Sequence, residues 1–245
     1  MTHPLVISHR TNMGTMPENT LAGIDAAIAE GVDGVEIDVR ATRDGRVVLL
    51  HDATLKRTTG DPRVLVDVSA DELAAVRTRP IHGVAAQPVP SLAETLDRVA
   101  GRVILVIEVK QRGIQEAVAA EVRAAAAAEW CWIWAFDPEV AIACRAALPE
   151  VPVGLNLSRG SLERYGYTGD AVPLAVRQGF AALSLSHDLV DEGRVRAIHR
   201  RGLAAYTWTV DEASDLARVR DAGVDAICSN FPPRVDVAIG RSGVR

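Results

Sequence analysis

The stretch VILVIEVK, residues 103–110, is the clearest indication of the fold class. Five apolar residues in it precede two charged residues that are spaced by two. An unbroken apolar run of this length is typical of a strand that is buried on both faces of a parallel sheet. The stretch VEIDV, residues 35–39, carries two carboxylates at the same spacing. Seven further strands are predicted, at residues 5–8, 47–50, 131–136, 152–157, 182–186, 204–210 and 226–229.

Alanine- and leucine-rich stretches with helical periodicity separate these strands. The six predicted helices cover residues 18–30, 91–100, 113–129, 138–148, 188–201 and 211–222. Asp137-Pro138 reads as an N-cap followed by a first-turn proline. Gly31, Gly202 and Gly223 each follow a predicted helix, at the position where the backbone commonly adopts the left-handed conformation. Alternating strands and helices form βαβ units, which favour a parallel sheet.

The predicted fold class is α/β, a (β/α)8 TIM barrel with a short hairpin extension, residues 47–50, after strand two. The rival is an open doubly wound sheet, but neither G-x-G-x-x-G nor a Walker A loop follows the first strand. Because a barrel commonly fills a chain of 245 residues, we expect one domain over residues 1–245.

Composition excludes several classes of protein. The net charge of −5 offers no basic field for nucleic acid. No signal peptide is visible and no apolar segment approaches the ~20 residues that span a bilayer, so we expect no integral membrane association and a cytoplasmic location. Cys131, Cys144 and Cys228 form no C-x-x-C pair and are expected to be buried thiols.

Three carboxylates are candidate metal ligands. Side chains alternate along a strand, so Glu36 and Asp38 share one face, which in a barrel is the interior. Glu108 shares the interior face of the next barrel strand with Lys110. Converging carboxylates would repel one another, and one divalent cation, Mg²⁺ or Ca²⁺, suits an all-oxygen set. A solvated hairpin face or a set of salt bridges is the alternative.

Two histidines follow strands that neighbour the acidic set. Either His9 or His51 alone is more simply a structural histidine, but a pair beside a metal site suits general base and general acid roles. Arg10 and Lys110 supply positive charge for phosphoryl oxygens, or else serve as ion-pair partners at the barrel mouth. His82, His187 and His199 match no catalytic pattern and are expected to be structural or solvated.

Taken together and in order, the motifs resemble those of the glycerophosphodiester phosphodiesterase family over nearly the whole chain. They are HR (9–10), PENT (17–20), GVDGVEIDV (31–39), DG (44–45), HD (51–52), LKRTTG (55–60), EVK (108–110), FDP (136–138), WTV (208–210) and GVD (223–225).

The resemblance implies the family's barrel, a metal site at Glu36, Asp38 and Glu108, and catalytic histidines at His9 and His51. It also implies phosphate contacts from Arg10 and Lys110. Trp208 either packs on the glycerol moiety of a substrate or fills the barrel mouth. The implied reaction, in lipid and glycerol metabolism, hydrolyses small glycerophosphodiesters to sn-glycerol 3-phosphate and an alcohol.

The chain departs from the family pattern at two places. Thr11 stands where the family usually has glycine, which suggests a positive φ, so we expect a reshaped first loop. The last motif reads Ser229-Asn230-Phe231-Pro232, without the family's usual aspartate.

Residues 157–172, with Arg159, Tyr165 and Tyr167, are predicted to form a long irregular loop over the catalytic face.

Two other functions fit the same residues. One is a phospholipase D-like lyase that stops at a cyclic phosphate; the other is a non-catalytic phosphodiester-binding barrel. The sequence predicts neither the alcohol moiety of the substrate nor the oligomeric state.

Overall fold

The computed structural model describes residues 3–81, 83–166 and 171–241. In these ranges nine strands form one sheet of order β1-β9-β8-β7-β6-β5-β4-β2-β3, and a further pairing of β1 with β2 closes it. The strands are β1 Leu5–Ser8, β2 Gly34–Ala41, β3 Val47–Leu49, β4 Ile104–Val109, β5 Cys131–Ala135, β6 Val153–Leu157, β7 Ala182–Ser186, β8 Ala204–Trp208 and β9 Ala226–Ser229.

Eight of these strands run parallel around the closed barrel, and β3 pairs antiparallel with β2 outside it. The predicted TIM barrel with a hairpin extension is therefore confirmed.

Helices alternate with the strands of the barrel. They are α1 Leu21–Ala29, α2 Lys56–Thr59, α3 Ala70–Leu73, α4 Leu92–Val99, α5 Gln115–Ala124, α6 Pro138–Ala147, α7 Arg159–Arg164, α8 Val172–Gln178, α9 Glu192–His199, α10 Ala213–Asp221 and α11 Pro232–Ile239, with 3₁₀ turns at Leu65–Asp67 and His187–Leu189. Among these, no helix is long and apolar enough to cross a membrane.

Strand alternation divides the core into two layers. Val35, Ile37 and Val39 of β2 pack with the helices in the outer layer. The alternate residues of β2, Glu36 and Asp38, are therefore left to face the interior, as predicted. A separate inner cluster contains Ile7, Val106, Trp134, Ala226 and Cys228. The three cysteines are buried free thiols, as expected.

The predicted helix-boundary signals are present. The Asp137 side chain accepts a hydrogen bond from the Glu139 backbone N–H, and Pro138 opens α6. Gly31, Gly202 and Gly223 have φ values of 79°, 72° and 84°, in the left-handed region that glycine adopts without strain.

The predicted irregular loop over residues 157–172 is wrong in part. Residues Arg159–Arg164 form α7, and α8 begins at Val172. The reason is local: the Ser158 side chain accepts from the Ser161 backbone N–H while the Ser161 hydroxyl accepts from the Ser158 N–H, which is a capping box. Tyr167 lies outside the described residues, and so does His82. His199 contacts Asp225 at the surface.

Thr11 adopts the backbone conformation that its glycine counterpart would favour, with φ 74°. Its backbone N–H donates to the Glu36 carbonyl oxygen at 2.8 Å, which holds the first loop against β2. Its side chain then fills space beside α1, where a Cβ added to Gly23 would lie 2.2 Å from Thr11 Oγ1. The side chain at position 11 therefore requires glycine at position 23.

This dependence predicts a coupled effect on stability. Gly23→Ala should lower the free energy of unfolding by roughly 1–3 kcal/mol, because the new methyl group overlaps Thr11. In a Thr11→Gly background the same substitution should be neutral or stabilise by about 0.5–1 kcal/mol, because alanine is the better helix former. Urea unfolding of the four proteins measures both effects. An equal loss in both backgrounds would disprove the coupling.

Candidate active site

Polar side chains from three neighbouring strands meet at one end of the barrel. His9 directly follows β1, and Asp38 of β2 lies beside Glu108 of β4 in the parallel register. Because the carboxyl ends of parallel barrel strands share one face, this face is where the active sites of such barrels lie.

Glu36, Asp38 and Glu108 form a buried carboxylate cluster. Each offers one oxygen, and these oxygens lie within 4.8 Å of one another. Glu36 Oε1 is buried and has no hydrogen-bond partner among the described residues. Burial and the charges of Asp38 and Glu108 raise the pKa of Glu36 well above its usual value. Burial raises the pKa of Glu108 to about 7.

Two positively charged side chains and one backbone N–H contact this cluster. Lys110 Nζ lies 2.6 Å from Glu108 Oε1 and 3.6 Å from Asp38 Oδ1, and Arg10 Nε lies 3.4 Å from Asp38 Oδ2. Burial alone would raise the pKa of Asp38, but the charges of Lys110 and Arg10, with smaller contributions from His51 and Asn19, lower it overall. The Arg10 backbone N–H donates to Glu36 Oε2 at 2.8 Å.

The donor set fits a hard divalent cation. Three carboxylates supply only oxygen, the ligand that Mg²⁺ and Ca²⁺ prefer. Glu36 Oε1 has no hydrogen-bond partner among the described residues, and burial together with the neighbouring carboxylates raises the pKa of Glu36, as expected where no bound cation offsets their charge. This buried acidic cluster could therefore hold a metal ion.

His9 is held by the last strand of the barrel. Its backbone N–H donates to the Ser229 carbonyl oxygen at 3.0 Å, and its Nδ1 lies 2.7 Å from Asn230 Oδ1. Burial lowers the pKa of His9 to about 4, with a further contribution from Arg10.

His51 is held by a chain of charged side chains instead. Its Nδ1 lies 2.7 Å from Asp52 Oδ1, and Asp52 Oδ2 accepts from Arg57 Nε at 2.6 Å. Arg57 also donates twice to Glu18, at 2.5 and 2.8 Å, and Glu18 lies 3.4 Å from Arg10. The His51 ring is therefore tied to the same loop that carries Arg10. Burial lowers the pKa of His51 as well.

Trp208 ends β8 at the same mouth. Its indole N–H donates to the Ser184 carbonyl oxygen at 3.2 Å, and its ring meets Phe136 edge-on at 5.1 Å. Lys110 Nζ lies 5.3 Å from the centre of the Phe136 ring. Trp208 thus packs in the mouth, one side chain away from Lys110, and its contact with a substrate stays a prediction.

Sequence reasoning missed two supporting groups. Asn19 exchanges two hydrogen bonds with Asp38, one to the carboxylate at 2.8 Å and one from the Asp38 backbone N–H at 3.0 Å. Asp211 accepts from the Asn230 side chain at 2.7 Å. The partner of Asp211, Asn230, directly follows β9, as His9 directly follows β1. A polar residue at the end of a barrel strand is a signal from which its place in the site could have been predicted. Asp211 carried none, because its partners lie 18 and 19 residues away.

Comparisons with known proteins show what this chain is similar to. The family model described as "Glycerophosphoryl diester phosphodiesterase family" matches residues 9–234. A glycerophosphodiester phosphodiesterase of Caldanaerobacter subterraneus subsp. tengcongensis is 28% identical over 98% of this chain and 99% of its own length.

Solved structures share the fold. One from Silicibacter pomeroyi has a TM-score of 0.88 at 27% identity, covering 97% of this chain and 93% of that chain. A phosphodiesterase from Oleispira antarctica, in complex with the product sn-glycerol 3-phosphate, has a TM-score of 0.82 at 26% identity and covers 97% of both chains. The family match over most of the sequence leads to one conclusion: this chain belongs to the glycerophosphoryl diester phosphodiesterase family.

Proposed function

We propose that this protein is a metal-dependent phosphodiesterase that hydrolyses small glycerophosphodiesters to sn-glycerol 3-phosphate and an alcohol. The observation that carries the proposal is the buried carboxylate cluster at the barrel mouth, with a histidine on each neighbouring loop. A relative with the same fold was solved with sn-glycerol 3-phosphate as its product, which supports the same substrate class here.

In this proposal Glu36, Asp38 and Glu108 hold one divalent cation, Mg²⁺ or Ca²⁺. When bound, the cation supplies electrostatic stabilisation for charge that develops on phosphoryl oxygens. Arg10 and Lys110 bind the phosphoryl oxygens alongside it, and Trp208 packs on the glycerol moiety.

The two histidines move the protons. One of the pair His9 and His51 takes the proton of the glycerol 2-hydroxyl, whose oxygen then forms a bond to phosphorus. The other histidine gives a proton to the departing alcohol oxygen as its bond to phosphorus breaks. Water then opens the cyclic phosphate, with the proton roles reversed. A binding barrel would need no such acid/base pair.

Several features of the protein remain proposals beside this function. We propose that residues 1–245 form one domain and that the substrate is a small molecule rather than a nucleic acid. The cytoplasmic location stays a prediction of the sequence.

Chelation should abolish the activity. After exhaustive EDTA treatment, hydrolysis of glycerophosphocholine should fall to background, and Mg²⁺ or Ca²⁺ should restore it. The reason is that the cation bound by the carboxylates supplies the positive charge that stabilises the phosphoryl oxygens. A coupled assay for glycerol 3-phosphate measures the rate. Full activity after chelation would refute the metal assignment.

Replacing the buried Glu36 carboxyl group by an amide should stabilise the metal-free protein. In Glu36→Gln the amide oxygen can still accept from the Arg10 N–H, while the amide NH₂ can donate to the neighbouring carboxylates. We expect the free energy of unfolding in EDTA to rise by roughly 1–4 kcal/mol and the stabilisation by Mg²⁺ or Ca²⁺ to disappear. The control is Glu129→Gln, which removes an exposed carboxylate. Wild-type stabilisation by metal in Glu36→Gln would argue against this site.

Each histidine of the pair should be required for turnover. His9→Ala and His51→Ala should each lower kcat by roughly 10²-fold or more, as expected for loss of an acid or base. His199→Ala, in α9, is the matched control and should leave kcat unchanged. Wild-type rates in either variant would reject its role.

Phosphorus NMR of the products of glycerophosphocholine and lysophosphatidylcholine tests the final hydrolytic step. We expect sn-glycerol 3-phosphate, or its acyl derivative, to accumulate because water opens the cyclic phosphate. A cyclic phosphate that persists would instead identify a lyase.

A further inference from the structure

The partner of the His9 ring is a neutral amide with two unlike ends. Asn230 Oδ1 lies 2.7 Å from His9 Nδ1. An amide oxygen only accepts hydrogen bonds and an amide NH₂ only donates them, so the orientation of Asn230 dictates which nitrogen of the ring carries the proton.

Asp211 fixes that orientation. Its carboxylate accepts from three donors: the Ser229 hydroxyl at 2.9 Å, the Asn230 backbone N–H at 2.9 Å and the Asn230 side-chain NH₂ at 2.7 Å. The Ser229 hydroxyl in turn accepts from the Phe231 N–H at 3.0 Å, so its proton points to Asp211. Because a carboxylate cannot donate, the NH₂ of Asn230 must face Asp211 and its oxygen must face His9.

We propose that Asn230, oriented by Asp211, is a positioning residue that holds His9 as a neutral imidazole protonated on Nδ1, leaving Nε2 as the proton acceptor of the first catalytic step. This inference rests on the proposed phosphodiesterase function. His9 Nε2 makes no hydrogen bond among the described residues, so its lone pair is available at the barrel mouth.

His9 and His51 have different hydrogen-bond partners, and this difference assigns them different roles in proton transfer. Burial lowers the pKa of both rings, but His51 Nδ1 contacts the Asp52 carboxylate, whose negative charge opposes that effect and favours a protonated ring, whereas the Asn230 oxygen that contacts His9 is neutral. In the first step the proton of the glycerol 2-hydroxyl passes to His9 Nε2 as the 2-oxygen bonds to phosphorus. The bond from phosphorus to the alcohol oxygen breaks, and that oxygen takes a proton from His51.

The second step returns both protons. Neutral His51 accepts a proton from water as the water oxygen bonds to phosphorus. His9 then protonates the glycerol 2-oxygen as its bond to phosphorus breaks, so both histidines regain their initial states.

The charges around His9 are of both signs. Burial, the largest effect, and Arg10 both lower the pKa of His9, and together they outweigh the hydrogen bond to Asn230 and the charges of Asp38 and Asp211, which raise it. A carboxylate in direct contact with Nδ1 would add a negative charge at hydrogen-bond distance, which raises a histidine's pKa by about 1–3 units.

The first test reads the tautomer without substrate. In ¹⁵N-histidine-labelled, Mg²⁺-loaded full-length protein at pH 7.5, long-range ¹H–¹⁵N spectra should show His9 neutral with its proton on Nδ1; the His9→Ala spectrum assigns the signals. A proton on Nε2 would overturn the proposal. If the correct tautomer is present but glycerophosphodiesters are not cleaved, the proposed function fails and the orientation by Asn230 stands.

The second test replaces Asn230. Asn230→Leu keeps the size of the side chain but offers no acceptor, so kcat should fall by roughly 10–100-fold with KM nearly unchanged, and the Nδ1 tautomer should no longer dominate. An unchanged tautomer and kcat would overturn the positioning role. A merely structural role would lower stability and leave kcat per folded molecule intact, which urea unfolding checks.

The swapped pair, Asn230→Asp with Asp211→Asn, preserves the hydrogen bond between the two positions but turns a carboxylate toward His9. The acidic limb of the pH profile of kcat/KM should therefore move upward by about 1–3 units. A profile that does not move in this variant would contradict the proposal, even if Asn230→Leu fails to fold.

Discussion

Three carboxylates buried within 4.8 Å of one another are the constraint on which the rest of the active site depends. Glu36, Asp38 and Glu108 lie on adjacent strands of a closed barrel, so the sheet holds their backbones side by side. Arg10 and Lys110 balance part of this charge through contacts with Asp38 and Glu108. Glu36 Oε1 keeps no hydrogen-bond partner among the described residues, and a divalent cation is the group that we propose to complete the site.

The barrel also explains why the two histidines differ. Closure of the sheet brings β9 beside β1, so Asn230 at the end of β9 meets His9 at the end of β1. His51 instead follows the hairpin strand outside the barrel and takes its partner, Asp52, from its own loop. One ring therefore contacts a neutral amide and the other a carboxylate. Two unlike surroundings are what a reaction with one proton acceptor and one proton donor requires.

Apolar runs predicted the strands well: the bounds of β1, β7 and β9 match in full, and alternation correctly placed the carboxylates inside the barrel. Short helices such as α7 were missed, because a capping box in a few residues carries little periodicity. The roles of Asn19 and Asp211 could not be predicted, because each acts through hydrogen bonds to residues 18 or 19 positions away. Thr11 was recognised as unusual, but its dependence on Gly23 appears only when the loop and α1 are packed together.

We propose that the carboxylate cluster is a metal site. Anomalous diffraction from crystals grown with Mn²⁺, which takes the same oxygen ligands as Mg²⁺, tests it most directly. We expect one strong anomalous peak at the barrel mouth, within bonding distance of Glu36, Asp38 and Glu108. Absence of a peak there in a fully loaded crystal, or a peak held by other residues alone, would contradict it.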